Sequence, residues 1–437
     1  MTSPPPASDP SPRPGTARGA PGGGRARRLL ASPLVRQNLL YLVGIGVSGF
    51  GVLLAQSYAS HHLTAAGNGE SNAVLAVLNL LYTTSFVVAA GVARQVATSV
   101  ATGVPAIERW VDLRSSTWRI GLGLAAAMVP VDFLLAFLLH LPHPEVLAVT
   151  VVAGPLSAMA GTQRGYLQGA RDFRRLAINL VMYGSSVVVL TVIFLHAGMG
   201  AASVPVATLG GATASALYPR HPGAHLSRSP APPGRLIDYT VVAGAATAPI
   251  FNNIDVVTAR HVLSPNGAGL YSGLSVMGKI IFYGTSSLSA VMYPRVAAAT
   301  SAAARRRLLF QTMAVLAAVD AVLLLGYWLL APHLLRIVLG RTYLRDSSLL
   351  PLFAIGVVAL TFVNLFVYYG MGARVRHFAI VPAIGVPALI GWLFTSPPDL
   401  HAFVPRIASA LVLLAVLEAV LILPGAFRPP DRNAGPL

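Results

Sequence analysis

Five ionisable side chains stand inside long apolar stretches of the sequence: Asp132, Asp255, Lys279, Asp320 and Glu418. A charge at bilayer depth is costly unless it meets a partner or a wet cavity, so each marks a place where chemistry or coupling could occur. Lys279 is the sharpest case, because it is the only lysine in the chain. It can line a cavity and meet an anionic group. It can equally pair with Asp255 or Asp320 and only hold helices together. Asp255 follows Asn252 and Asn253, with Pro249 just before them. That spacing predicts a polar stripe on a kinked helix. The two amides can bond ligand hydroxyls or join neighbouring helices. Asp132 and Asp320 are expected at matched places in two halves, either as helix-joining groups or as ion-coupling acids. Glu418 is expected near a cytoplasmic helix end, where it could snorkel. Arg94 and Arg295 are placed at cytoplasmic helix ends and Arg260 at an outer one. Lipid anchoring is their simplest role, and bidentate phosphate contact is the sharper one.

Other chemistries are poorly represented. There is no cysteine, so disulfides, thiolate metal sites and cysteine nucleophiles are excluded. No Walker-type phosphate loop is present, so the chain is not expected to hydrolyse ATP. Paired acids in a water-exposed loop are missing as well. No enzyme activity, cofactor or metal is therefore expected. Eight of the eleven histidines, His61, His62, His140, His143, His196, His261, His333 and His401, fall at predicted outer helix ends, where interfacial placement is the default. Glu108, Arg109, Trp110 and Asp112 suggest a short amphipathic helix lying at the cytoplasmic interface.

The elements that must position these residues are membrane spans. Of 437 residues, 55% are hydrophobic and 10% charged, against about 25% charged in soluble domains. Mean hydropathy is +0.67. The net charge of +17 reads as arginine in cytoplasmic loops and against anionic lipid rather than as a nucleic-acid site. Apolar runs predict twelve helices, near 38–59, 73–93, 117–140, 146–166, 176–195, 200–218, 237–259, 270–294, 308–331, 348–370, 377–395 and 403–424. The expected organisation is a disordered basic tail over 1–36, a six-helix bundle over 37–218, a cytoplasmic linker over 219–236, a second six-helix bundle over 237–425 and a short tail over 426–437. With both termini inside, 25 arginines fall on the cytoplasmic side and five outside. That asymmetry supports the count and a cell-membrane location.

Six spans per half imply a parallel repeat about an axis normal to the membrane. Ala59–Leu63 and Ala259–Leu263 close matching helices, and Arg94 and Arg295 close the next pair. The stretch from Asn252 to Arg295 carries Asp255, then Gly269-Leu270-Tyr271, then Tyr293-Pro294-Arg295. Gln163-Arg164-Gly165-Tyr166-Leu167-Gln168-Gly169, with Phe173 and Asn179, adds a second echo. These motifs resemble the polysaccharide-biosynthesis flippases of the multidrug/oligosaccharidyl-lipid/polysaccharide exporter superfamily, over nearly the whole chain after residue 36. The resemblance implies an all-α transporter that moves a lipid-linked oligosaccharide between leaflets by alternating access, with the cargo's pyrophosphate near Lys279. A lateral slot between helices 1 and 8 would pass the lipid tail. The expected partners are the lipid-linked glycan, membrane lipids and glycan-synthesis enzymes, with a monomer as the working unit. The alternative is a drug or small-molecule cation antiporter of the same fold. A membrane glycan polymerase ranks last, because the outer connections are short.

Overall fold

The computed structural model describes residues 33–219, 247, 249–373, 375, 378 and 380–427. The expected basic tail up to residue 32, most of the linker, the first turns of the seventh helix and the last ten residues lie outside that set. The described residues form twelve α-helices. They are α1 Pro33–His62, α2 Ala65–Ala101, α3 Ala106–Leu139, α4 Ala148–Gly169, α5 Phe173–His196, α6 Ser203–Leu217, α7 Ile254–Val262, α8 Pro265–Ala298, α9 Ala302–Val338, α10 Leu349–Ala373, α11 Ile380–Phe394 and α12 Leu400–Phe427. Nine of them are long and apolar enough to cross a membrane. The other three are α6 and α11, of 15 residues each, and α7, of nine.

Helices α1–α6 pack chiefly on one another, and so do α7–α12. Between helices in lipid, close packing depends on small residues. α4 shows this with Gly161, Gly165 and Gly169 spaced one turn apart. A Cβ on any of them would fall 2.5–2.7 Å from a backbone oxygen of α2.

The two halves repeat at a constant offset of 200 residues near the starts of α2 and α8. Thr64 caps α2 by accepting from the Gly67 amide, and Ser264 caps α8 by accepting from the Gly267 amide. Gly69 faces Gly269 across the seam, and Asn72 donates to Ser272. The polar stretch from Gly67 to Asn72 therefore belongs to a helix, eight residues ahead of the expected start. Its side chains are sheltered in the seam instead of facing water.

Three expectations need correction. Ala106–Leu139 is one continuous helix, so the stretch around Trp110 is not a separate interfacial helix. Trp110 and Arg109 are buried, and Arg109 donates to Gln95 of α2 at 2.8 Å. Asp132 and Asp320 do not lie at matched depths: α3 ends seven residues after Asp132, whereas α9 continues for eighteen residues after Asp320. Glu418 does not snorkel, since it is wholly buried and neither carboxylate oxygen has a hydrogen-bond partner among the described residues.

Candidate functional site

The chain breaks helical conformation at Asn252 and Asn253, immediately before α7. Pro249 sits one turn earlier and brings no N–H of its own. The break is held by side chains. Asn253 Nδ2 donates to the Pro249 carbonyl at 2.7 Å. Asn253 Oδ1 accepts from Asn79 of α2 at 3.1 Å and from Lys279 Nζ of α8 at 3.4 Å. This interrupted helix thus joins the two bundles through one amide. Lys279 lies fourteen residues into the 34-residue α8, about 21 Å along it.

Asp255 is buried and serves a different contact. One of its oxygens accepts from Tyr271 at 2.7 Å and from Ser275 at 3.3 Å. Its other oxygen has no partner among the described residues. Tyr271 is fully buried with its ring edge-on to Phe353 and Phe403. The Gly-Leu-Tyr motif thus anchors α7 on α8. Asp320 accepts from Thr361 of α10 at 2.7 Å, and Asp132 from Thr150 of α4 at 2.7 Å. Among the described residues no direct ion pair joins Lys279 to Asp255 or Asp320, although the Asp255 carboxylate is within electrostatic reach of Lys279.

One turn beyond Lys279, Tyr283 is 56% exposed although its neighbours are helices of both bundles. The Asn252 side chain lies beside its hydroxyl, and Tyr183 of α5 is within electrostatic reach. Asn252 Nδ2 is buried, with the Tyr283 hydroxyl as its neighbouring acceptor.

The structure adds a cation that the sequence analysis named only as part of the Gln163–Gly169 motif. Arg164 sits in α4 with its guanidinium 5.4 Å from the Tyr183 ring centre. Its Nε donates to Asn179 at 3.2 Å. Tyr41 and Tyr82 complete the surrounding collar. Tyr82 meets Tyr183 edge-on at 6.3 Å, and Gln168 donates to the Tyr41 hydroxyl at 3.4 Å. Asn179 is locked in turn by bonds to Ser215 and the Tyr218 carbonyl. Among the described residues no carboxylate pairs with Arg164. The signal available in the sequence was the run Gln163–Gly169 with Asn179, but nothing in it places Arg164 among four helices.

The remaining arginines fall elsewhere. Sixteen residues separate Lys279 from Arg295. At about 100° per residue they stand about 160° apart on α8. Arg295 therefore points away from the Lys279 face, toward α9. Arg94 is exposed, seven residues before the end of α2. Arg260 does not offer a free anion site at the outer exit. It is buried and donates to the carbonyls of Leu139 at 3.1 Å and His140 at 3.3 Å, capping α3. The reason is geometric: His140 takes a left-handed φ of 48°, which leaves the last carbonyls of α3 open to a cationic cap. His261 adds a ring-nitrogen contact to the Leu138 carbonyl at 2.7 Å and stacks on His140. Among the described residues no cluster of acids and histidines could hold a metal ion.

These contacts lie at one end of the bundles, the end assigned to the outside by the arginine distribution. There Asn68 donates to the Tyr343 hydroxyl at 2.6 Å, and Ser57 donates to the Val338 carbonyl. Burial pushes the Tyr343 phenol up to about 12, so it stays neutral. The bundles are joined at this end by helix caps, amides and the Gly69–Gly269 approach.

No family model matches the sequence, and no curated protein matches it. Solved structures do. The chain superposes on the inward-facing conformation of a multidrug resistance MATE family transporter of the MOP superfamily with a TM-score of 0.74, at 12% identity, over 88% of this chain and 98% of that one. The outward-facing conformation of a MATE family transporter gives 0.64, at 13% identity, over 91% and 96%. A MOP superfamily transporter from Pyrococcus furiosus, described as having a binding pocket of reverse polarity that suggests a different function, gives 0.57, at 14% identity, over 90% and 95%. The chain is an all-α, multi-pass membrane protein with the fold of the MATE transporters.

Proposed function

We propose that this protein is an alternating-access transporter that carries a lipid-linked, anionic glycan precursor from the inner to the outer leaflet. One observation carries the reading. Two cations, Lys279 of α8 and Arg164 of α4, have no carboxylate bonded to them among the described residues. In a low-dielectric wall, cations without a bonded carboxylate are costly and persist where an anion visits, and Lys279 has only the more distant field of Asp255. Asn252, Tyr283 and the tyrosine collar supply groups suited to sugar hydroxyls and ring faces. Closure at the outer end supports loading from the cytoplasmic side.

A drug or small-molecule cation antiporter of the same fold is the second reading. It is favoured by the buried acids Asp255 and Asp320, each with one oxygen lacking a partner among the described residues. The two readings differ in which charge the cargo needs. In a deletion strain, the flippase reading expects lipid-linked oligosaccharide to build up on the inner leaflet. Wild type should rescue it and Lys279→Ala should not. Rescue of accumulation by Lys279→Ala together with loss of function in Asp255→Asn and Asp320→Asn would turn the assignment to the antiporter.

A further inference from the structure

The lipid-facing surface of the C-terminal bundle carries two grooves of different chemistry. One, of about 430 Å³ between α10 and α12, is lined by apolar side chains and Ser409 and has no charge. Hydrocarbon alone suits it. The other, of about 210 Å³ between α8 and α9, has Arg295 at its shallow end and a mainly apolar floor of Leu288, Met292, Leu308 and Val315, with Gln311 and Thr312 of α9 beside it. Leu288 lies seven residues before Arg295, so the floor runs about 10 Å into the membrane. Val315 is 51% exposed, which leaves the groove open sideways.

Charge at the mouth is one-sided. α8 ends at Ala298 and α9 begins at Ala302, so Arg305, Arg306 and Arg307 in the first turns of α9 share the interfacial layer with Arg295. From Val256 to Val319 the chain has no acidic residue. No carboxylate bonds Arg295 among the described residues. An arginine fork above a mainly apolar floor, with the polar Gln311 and Thr312 at its side, matches a phosphate joined to an acyl chain.

We propose that this groove holds an anionic phospholipid of the cytoplasmic leaflet, its phosphate on Arg295 and one acyl chain on the floor. The site stands on the face of α8 turned away from Lys279, so it is independent of the transport reading. Native mass spectrometry of the purified full chain, with phosphatidylglycerol and phosphatidylcholine supplied in equal amounts, tests it. Phosphatidylglycerol should be retained in preference to phosphatidylcholine. Arg295→Ala should reduce its retention about fivefold. Leu288→Trp should reduce it while leaving Arg295 in place, and the exposed Arg295→Gln carries the test if the tryptophan variant fails to fold. Arg306→Ala, one of the layer arginines outside the groove, should have the smaller effect. Equal retention of the two lipids, or retention unchanged in the Arg295 variants, would overturn the proposal.

Discussion

Gly269 and Ala65 approach so closely that a methyl group cannot enter between them. A Cβ on Gly269 would fall 1.8 Å from the Ala65 carbonyl oxygen and 2.4 Å from its carbon. Real Cβ atoms essentially never come nearer than 3.0 Å, so Gly269→Ala must push α2 and α8 apart by about 1.2 Å, from 1.8 to 3.0 Å. The obstruction is backbone on both sides, so no side chain can swing away. The Asn72–Ser272 bond, already 3.4 Å, would be lost. Overpacking of this kind costs about 1–3 kcal/mol. Because the seam closes the outer end, that cost falls on this conformation and not on one with the outer end open. The equilibrium should move toward outer opening by about five- to 150-fold. The chain has no cysteine, so spin labels can be placed at His62→Cys and Asn266→Cys without background. Double electron–electron resonance should show a longer outer distance in Gly269→Ala. Gly284→Ala, in the same helix with nothing within 4 Å of its Cβ, should match wild type. An unchanged distance distribution in Gly269→Ala would refute the reasoning.

Further outcomes follow from single contacts. Arg260→Ala uncaps the Leu139 and His140 carbonyls, costs the closed outer end about 1–3 kcal/mol and should lengthen the same spin-label distance. Tyr271→Phe removes the 2.7 Å bond to Asp255 without changing ring packing and should lower thermal stability by about 1–3 kcal/mol. Glu418→Gln should leave the melting temperature unchanged or raise it, since the carboxylate has no partner among the described residues to lose. A sharp fall would mean that Glu418 bonds a group that the structure does not display.

Much of the fold was legible because apolar runs of span length can form little but helices in a bilayer. Helix ends were less so. The run from Gly67 to Asn72 is polar and glycine-rich, and only the facing α8 makes it helical. Lys279 and the Asn252–Asn253 break stood out in the sequence as a lone cation and a Pro-marked polar pair. Arg164 did not, because its surroundings come from α1, α2 and α5, which are distant in the chain. Arg260 stands in the last turn of α7, at the helix end where the sequence put it, but its acceptors are carbonyls of α3, which carry no signature in sequence. Asp132 and Asp320 looked equivalent from neighbouring residues, but α9 extends much farther beyond its aspartate than α3 does.

Reconstituted translocation tests the central claim most directly. The purified chain in proteoliposomes would be given a diphosphate-linked oligosaccharide lipid and, separately, a cationic dye. Wild type should move the glycan lipid, Lys279→Ala and Arg164→Ala should each lose at least about tenfold of that rate, and Lys279→Arg should retain part of it. Transport of the dye but not of the glycan lipid, unaffected by either substitution, would contradict the account.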